Sequence, residues 1–314
     1  MIYSARHVTT FGYDPPIRES VMEVRMQPRS DTQQRCLTFY LDVFPRANVM
    51  VYRDFSGNMV HHFDIPRRHA RARVTAQAVV EVLPVPEPEA EAAGNWDSLD
   101  GLIATGDFWE FLLPSHYAQP SNLLKEFATE VKIHRCATPL EFVLNLNQTI
   151  YKAFQYVPNS TEVDSPIDDT LRSRTGVCQD FAHITIALLR EYHIPARYVS
   201  GYLYHSQHST DRSPDSATHA WVEAYVPGPG WVGLDPTNNV LAGERHIRVA
   251  LGRDYADVPP TRGVYKGEAE SELGVTVTVA LADAPPPQDM PPATVTRTRS
   301  TAAGGNKEFQ HDQQ

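Results

Sequence analysis

The feature that most constrains this chain is a change of hydrophobic period part-way along it. Up to about residue 82 apolar residues recur at every second position. Met22, Val24 and Met26 alternate with Glu23 and Arg25; Leu37, Phe39, Leu41 and Val43 alternate with Thr38, Tyr40 and Asp42; Val74, Ala76, Ala78, Val80 and Val82 alternate with Thr75, Gln77 and Glu81. A two-residue period buries one face of a strand and wets the other. Several such strands at short intervals, with the turn signal Asp54-Phe55-Ser56-Gly57-Asn58, predict a small antiparallel β-sandwich over residues 1–84. Residues 83–94 are acidic and rich in proline, so 85–119 reads as a linker or crossing segment, with 107–113 an ordered piece inside it.

Helical spacing follows. Leu123, Leu124, Phe127 and Val131 lie behind Ser121, a good N-cap. A second helix is predicted over about 139–154, with Thr138 as cap, Pro139 in the first position and Phe142, Val143, Leu146 and Ile150 on one face. A third starts near Cys178, carries Phe181, Ile184, Ala187 and Leu188, and must stop before Pro195. Strands return at 196–204, 219–226 and 230–234, with a Pro/Gly turn at 227–230. The alternating stretch 275–281 is expected to close the same sheet. The fold class is therefore α+β: a core over 120–282 in which helices pack on an antiparallel sheet, preceded by the sandwich. The Pro-, Thr-, Arg- and Gln-rich tail 283–314 has no apolar period and is predicted to be disordered.

Composition narrows the function. Apolar content of 41% and charged content of 21% are globular values. A net charge of −10 leaves no concentrated basic surface, so neither nucleic acid nor an anionic membrane is an expected partner. The one arginine-rich stretch, with Arg67, Arg68, Arg71 and Arg73, reads as a solvated turn leading into a strand. Three cysteines, Cys36, Cys136 and Cys178, are too few for a disulfide framework, and none forms a Cys-x-x-Cys pair. The first residues do not pattern as a secretory signal, and no run of about 18 apolar residues spans a membrane. A cytoplasmic protein is expected, where a free thiol survives. His205 and His208 lie in a polar, serine-rich loop without zinc-motif spacing. They read as loop residues near a cleft, and neither metal nor cofactor is expected.

The chemistry gathers around Cys178, in Arg174-Thr175-Gly176-Val177-Cys178-Gln179-Asp180. A lone cysteine is usually a core residue. This one stands where a loop runs into a helix, and the first helical turn offers unpaired N–H groups and partial positive charge that favour a thiolate. Its own N–H is placed to donate to an oxyanion, and Gly176 is expected to let the loop backbone approach a substrate. Among thirteen histidines, His219 is set apart because it opens an aromatic-rich strand after a polar loop. Asp235 ends the next strand. Two strands joined by a tight turn can set those side chains next to each other, so Asp235 would fix the tautomer of His219 and stabilise its charged form. Thiol, imidazole and carboxylate are the parts of an activated cysteine nucleophile.

These blocks, with Ile194-Pro195-Ala196-Arg197-Tyr198, Thr218-His219-Ala220-Trp221-Val222-Glu223 and Leu234-Asp235-Pro236-Thr237-Asn238, strongly resemble the transglutaminase-like superfamily of papain-related cysteine enzymes. The resemblance covers about residues 120–281. The earlier strands, including residues 52–58, look like the β domain that precedes this core in bacterial members. It implies Cys178 as nucleophile, His219 as general base and acid, and Asp235 as the orienting residue. A peptide or protein substrate would pass through a thioester. Tyr156 is a candidate oxyanion donor, with a plain core-packing role as its alternative, and Trp221 and Trp231 support the sheet. Water as second substrate gives a peptidase or amidase; a lysine-like amine gives a transglutaminase. Hydrolysis is favoured, because the extra C-terminal β domains and calcium-type acidic loops of animal cross-linking enzymes are not seen. The rival reading is a binding module on the same fold with an unassembled triad.

Overall fold

The period-two stretches of the first 82 residues fold as six strands: β1 (Ile2–Ile17), β2 (Glu19–Val24), β3 (Gln34–Phe44), β4 (Val49–Arg53), β5 (Met59–Ile65) and β6 (His69–Val82). The computed structural model describes residues 1–89, 91, 93–206 and 209–282, together with the strands Thr294–Thr298 and Asn306–His311. Burial alternates along β1, β2 and β6 as the sequence demands. Tyr3, Phe11, Met22, Val24, Phe63, Val74 and Val80 meet in one core. The turn at Asp54 closes through a Gly57 N–H to Asp54 O bond of 2.9 Å, with Gly57 at φ +77°, a value that suits glycine.

The crossing segment is more ordered than a linker. It carries α1 (Trp96–Ile103), capped by the Asn95 side chain on the Ser98 N–H, and the single turn α2 (Trp109–Leu112). α3 (Asn122–Glu130) and α4 (Pro139–Ala153) start where expected, with Ser121 Oγ accepting from Leu124 N–H and Thr138 Oγ1 from Glu141 N–H, both at 3.1 Å. A short parallel pair follows, β7 (Gln155–Tyr156) with β8 (Thr175–Gly176), separated by α5 (Ile167–Ser173). Then comes α6 (Cys178–Glu191), buried on every side from Cys178 to Arg190. That placement explains its apolar residues beyond one stripe. β9 (Ala196–Leu203), β10 (His219–Val226), β11 (Gly230–Asp235), β12 (Val240–Leu241) and β13 (His246–Gly252) form an antiparallel sheet in the order β12–β11–β10–β9–β13. α6 packs on one face against Ala220, Val222 and Ala224; from the other side Tyr202, Ile247 and Val249 enter the sandwich core.

After β13 the chain leaves this sheet. β14 (Thr261–Lys266) pairs with β2, and β15 (Glu270–Leu281) pairs with β1 from Tyr3↔Leu281 to Asp14↔Glu270. The expectation that 275–281 closes the core sheet is therefore corrected. Alternation shows that one face of a strand is buried, not which sheet receives it. Both ends of the chain build the sandwich, so residue 282 does not mark the end of the core. In the tail expected to be disordered, β16 (Thr294–Thr298) pairs with β15 and β17 (Asn306–His311) with β14; the rest of 283–314 lies outside the described residues. The sandwich sheets thus run β16–β15–β1–β6–β3 and β17–β14–β2–β5–β4. Among the described residues no helix is long and apolar enough to cross a membrane.

Two buried side-chain amides stitch the sandwich to β13, an edge of the core sheet. Asn58 donates to Leu251 O and accepts from Leu251 N–H, both at 2.8 Å; Gln34 does the same to Arg248, also at 2.8 Å. Each amide replaces a missing neighbouring strand and satisfies backbone groups that water cannot reach. Asn58→Ala orphans a buried N–H and a buried carbonyl, so urea unfolding should show a loss of about 2–4 kcal/mol.

Candidate active site

Cys178 opens α6 without a conventional cap. Val177 precedes it in extended backbone (φ −119°), and no Ser, Thr, Asp or Asn side chain stands in the cap position. The helix is anchored from within: Asp180 Oδ2 accepts from Val177 N–H at 2.8 Å and from Thr161 Oγ1 at 2.6 Å. Burial pushes the Asp180 carboxyl up to about 6, against the pull of these two bonds. Gly176 serves that carboxylate. A β-carbon there would stand 3.0 Å from Asp180 Oδ2 and 3.0 Å from Thr170 Cγ2. Its small size thus makes room for the capping side chain, a role separate from the expected approach of backbone to substrate. Gln179 Nε2 donates to Val163 O at 3.0 Å, so the irregular stretch holding Thr161 and Val163 is tied across the first turn of α6.

The β10–β11 hairpin, in register from Val222↔Leu234 to Val226↔Gly230, puts the start of one strand beside the end of the other. His219 Nε2 and Asp235 Oδ2 are 2.7 Å apart. Nε2 being taken, Nδ1 is the ring nitrogen left for Cys178, whose side chain is near enough to raise the imidazole pKa. Among the described residues Nδ1 has no aligned hydrogen-bond partner. Cys178, His219 and Asp235 are 1%, 2% and 0% exposed, so the three groups interact with little screening.

Asp235 accepts five hydrogen bonds. Oδ2 takes His219 Nε2, Asn238 Nδ2 at 2.8 Å and His246 Nε2 at 3.2 Å; Oδ1 takes the N–H groups of Thr237 at 3.0 Å and Asn238 at 3.1 Å. Burial alone would raise this carboxyl, but the His219 charge and the bonds from both histidines hold it well below the usual carboxylate range. For His219 burial works downward, and Asp235 followed by Cys178 overcomes it, pushing the ring up to about 10. NMR titration should therefore find His219 charged through pH 8. Since its folded value lies above 6.5, its contribution to stability is complete below pH 6.5 and is lost as pH rises through about 10. The value should fall in a Cys178→Ala protein, which lacks the sulfur.

Tyr156 pairs across β7–β8 with Gly176, and its ring meets Phe181 edge-on at 6.5 Å. It borders the strand that delivers Cys178. Trp221 stacks beside His219 with ring centres 6.0 Å apart, and Trp231 carries the Arg197 guanidinium at 4.0 Å. The polar loop after β9 is fastened to the turn following Asp235: Arg212 N–H donates to Asn238 Oδ1 at 2.8 Å, and its guanidinium reaches Tyr151 O and Phe154 O at the end of α4. His205 pairs with Asp211 at 3.2 Å; His208 lies outside the described residues. His219, Asp235 and His246 place three potential metal-ligand atoms within 4.8 Å of one another. An ion there would compete with the hydrogen bonds that both histidines make to Asp235.

Sequence reasoning missed His246, Asn238 and Asp180. Asn238 stands in the quoted Asp-Pro-Thr-Asn block. His246 opens a strand whose run of Ile247, Val249 and Leu251 was a usable signal.

Residues 126–236 match the Transglutaminase-like superfamily, and residues 3–81 match the Bacterial transglutaminase-like N-terminal region. An uncharacterized protein of Mycobacterium leprae is 34% identical over 270 residues, covering 86% of this chain and 95% of its own. A protein-glutamine gamma-glutamyltransferase of Pseudomonas aeruginosa is 33% identical over 129 residues, 37% of this chain and 18% of that one. In fold, the chain superposes on the crystal structure of a protein from Cytophaga hutchinsonii described as a candidate cysteine protease, with TM-score 0.69, 24% identity and 93% coverage of both chains. The chain therefore belongs to the transglutaminase-like superfamily, with the bacterial N-terminal β region ahead of its core.

Proposed function

We propose that this protein is a cysteine-dependent peptidase or amidase that works through a thioester on Cys178. The observation that carries the reading is the buried line Asp235–His219–Cys178, in which one imidazole is held between a five-fold hydrogen-bonded carboxylate and a thiol at a helix N-terminus. Cys178 Sγ, having given its proton to His219, attacks the carbonyl carbon of a peptide or carboxamide. The oxyanion forms beside the Cys178 N–H, which has no acceptor within the helix, and Tyr156 is the candidate side-chain donor. His219 Nδ1–H protonates the leaving amine, the C–N bond breaks, and the acyl group stays on sulfur. His219 then takes a proton from water, the hydroxide adds to the thioester, and the acid leaves as the thiol reforms. Asp235 stays ionised throughout and stabilises the imidazolium.

With Cys178 at 1% exposure, a substrate reaches the sulfur only after groups packed around it move aside. All three cysteines are free, and a reducing compartment would keep the nucleophile so. The second reading, acyl transfer to an amine, draws on the Pseudomonas aeruginosa relative. A library of peptides, including glutamine-containing ones, is incubated with and without an added primary amine. Released amine or ammonia that depends on Cys178, with a free acid as product, supports hydrolysis. Incorporation of the added amine in preference to water would make the enzyme a transferase. No release from any peptide would count against both.

A further inference from the structure

His246 stands at the start of β13, paired with Leu203 across the sheet from the strands that carry His219 and Asp235. Its tautomer is fixed by geometry. Nδ1 accepts from the Gly243 N–H at 3.2 Å, and a backbone N–H can only donate, so the ring proton sits on Nε2. Nε2–H then points at Asp235 Oδ2, 3.2 Å away, the oxygen that also takes His219 at 2.7 Å. Trp221 closes on the His246 ring edge-on at 5.1 Å and lies beside His219, so one indole braces both imidazoles. Burial lowers the His246 pKa, in keeping with a neutral ring.

We propose that His246 is a positioning residue for acyl transfer: a second imidazole, locked as the Nε2–H tautomer by Gly243, that pins the Asp235 carboxylate so that His219 Nδ1 stays aimed at Cys178. The proposal rests on the reading of Cys178 as nucleophile. Without the His246 bond the carboxylate has one donor fewer on the oxygen that orients His219, and the His219 ring gains freedom to swing. His246 also lines a cavity of about 460 Å³, with Trp221, Glu223, Trp231 and Arg248 among its walls. Removing the imidazole therefore opens Asp235 to a space that a small molecule can enter.

The test uses His246→Ala and His246→Gln in the full chain, with kcat and KM on an amide substrate and the rate of Cys178 alkylation by iodoacetamide. Losing a bond to a charged group should lower kcat in the alanine variant about tenfold or more. KM should stay within about twofold. Free imidazole added to that variant should restore part of the loss, and the glutamine variant, which can place an N–H near the Nε2 position, should recover most of it. A folded alanine variant with unchanged kcat overturns the proposal. So does a loss that neither imidazole nor glutamine reverses, since that marks a packing role. Should the alanine variant fail to fold, the glutamine variant decides alone: near-normal kcat and alkylation support positioning, and a deficit like that of His219→Ala overturns it. Wild-type protein in which Cys178 is not preferentially alkylated would instead defeat the nucleophile assignment and is recognisable as such.

Discussion

Replacing Cys178 with alanine removes turnover, by about 10⁴-fold or more, and leaves the fold in place. The sulfur is the only protein atom in the proposed route that bonds covalently to substrate. The fold has no comparable dependence on it. α6 is capped by Asp180 rather than by Cys178, and its hold on the sheet comes from a wide apolar cluster that includes Phe181, Ile184, Leu188 and Leu189. Truncating one thiol should cost about 1 kcal/mol of stability. Single-turnover kinetics and a thermal melt of the same preparation check both halves.

Asp235→Ala should damage stability and activity together. Five donors converge on that carboxylate in a fully buried site. Removing it strands the His219 charge, two backbone N–H groups and the Asn238 amide, so a loss of about 3–5 kcal/mol is expected. Asp235→Asn keeps the volume and part of the bonding, so it should unfold less easily. Its neutral amide cannot stabilise the imidazolium or fix the tautomer, and kcat should fall about 10²- to 10⁴-fold while some turnover survives. The pH dependence has a definite sign. The folded carboxyl is held below 3.8, so its stabilising contribution is complete above that value and is lost as pH falls through the folded value. Denaturant melts of wild type from pH 7 into strong acid should show the loss, and Asp235→Asn should lack that component.

Local signals were legible from the chain. Ser121 and the Thr138–Pro139 pair name their helix starts because a cap acts over three residues, and Cys178, His219 and Asp235 stand out because each closes or opens an element. What escaped is what depends on distant partners. The alternation of β15 shows a buried face but not that β1, near the other end of the chain, covers it. His246 reaches Asp235 from a strand on the far side of β9, so no spacing in the sequence joins them. The close contact of Gly176 with the Asp180 carboxylate is not readable from spacing, because its partner acts as a cap from inside the following helix. The Asp180 cap was hidden because it sits inside the helix, behind a valine that cannot cap.

The most direct measurement is the rate of iodoacetamide labelling of each cysteine at mildly acidic pH, followed by peptide mass spectrometry. Cys36 and Cys136 are half-buried and Cys178 is the most enclosed of the three, so accessibility alone would leave Cys178 slowest. Pairing with His219 predicts the opposite order: Cys178 fastest, and slowed markedly in a His219→Ala protein. Equal, sluggish labelling of all three, or a Cys178 rate indifferent to His219, would contradict the account.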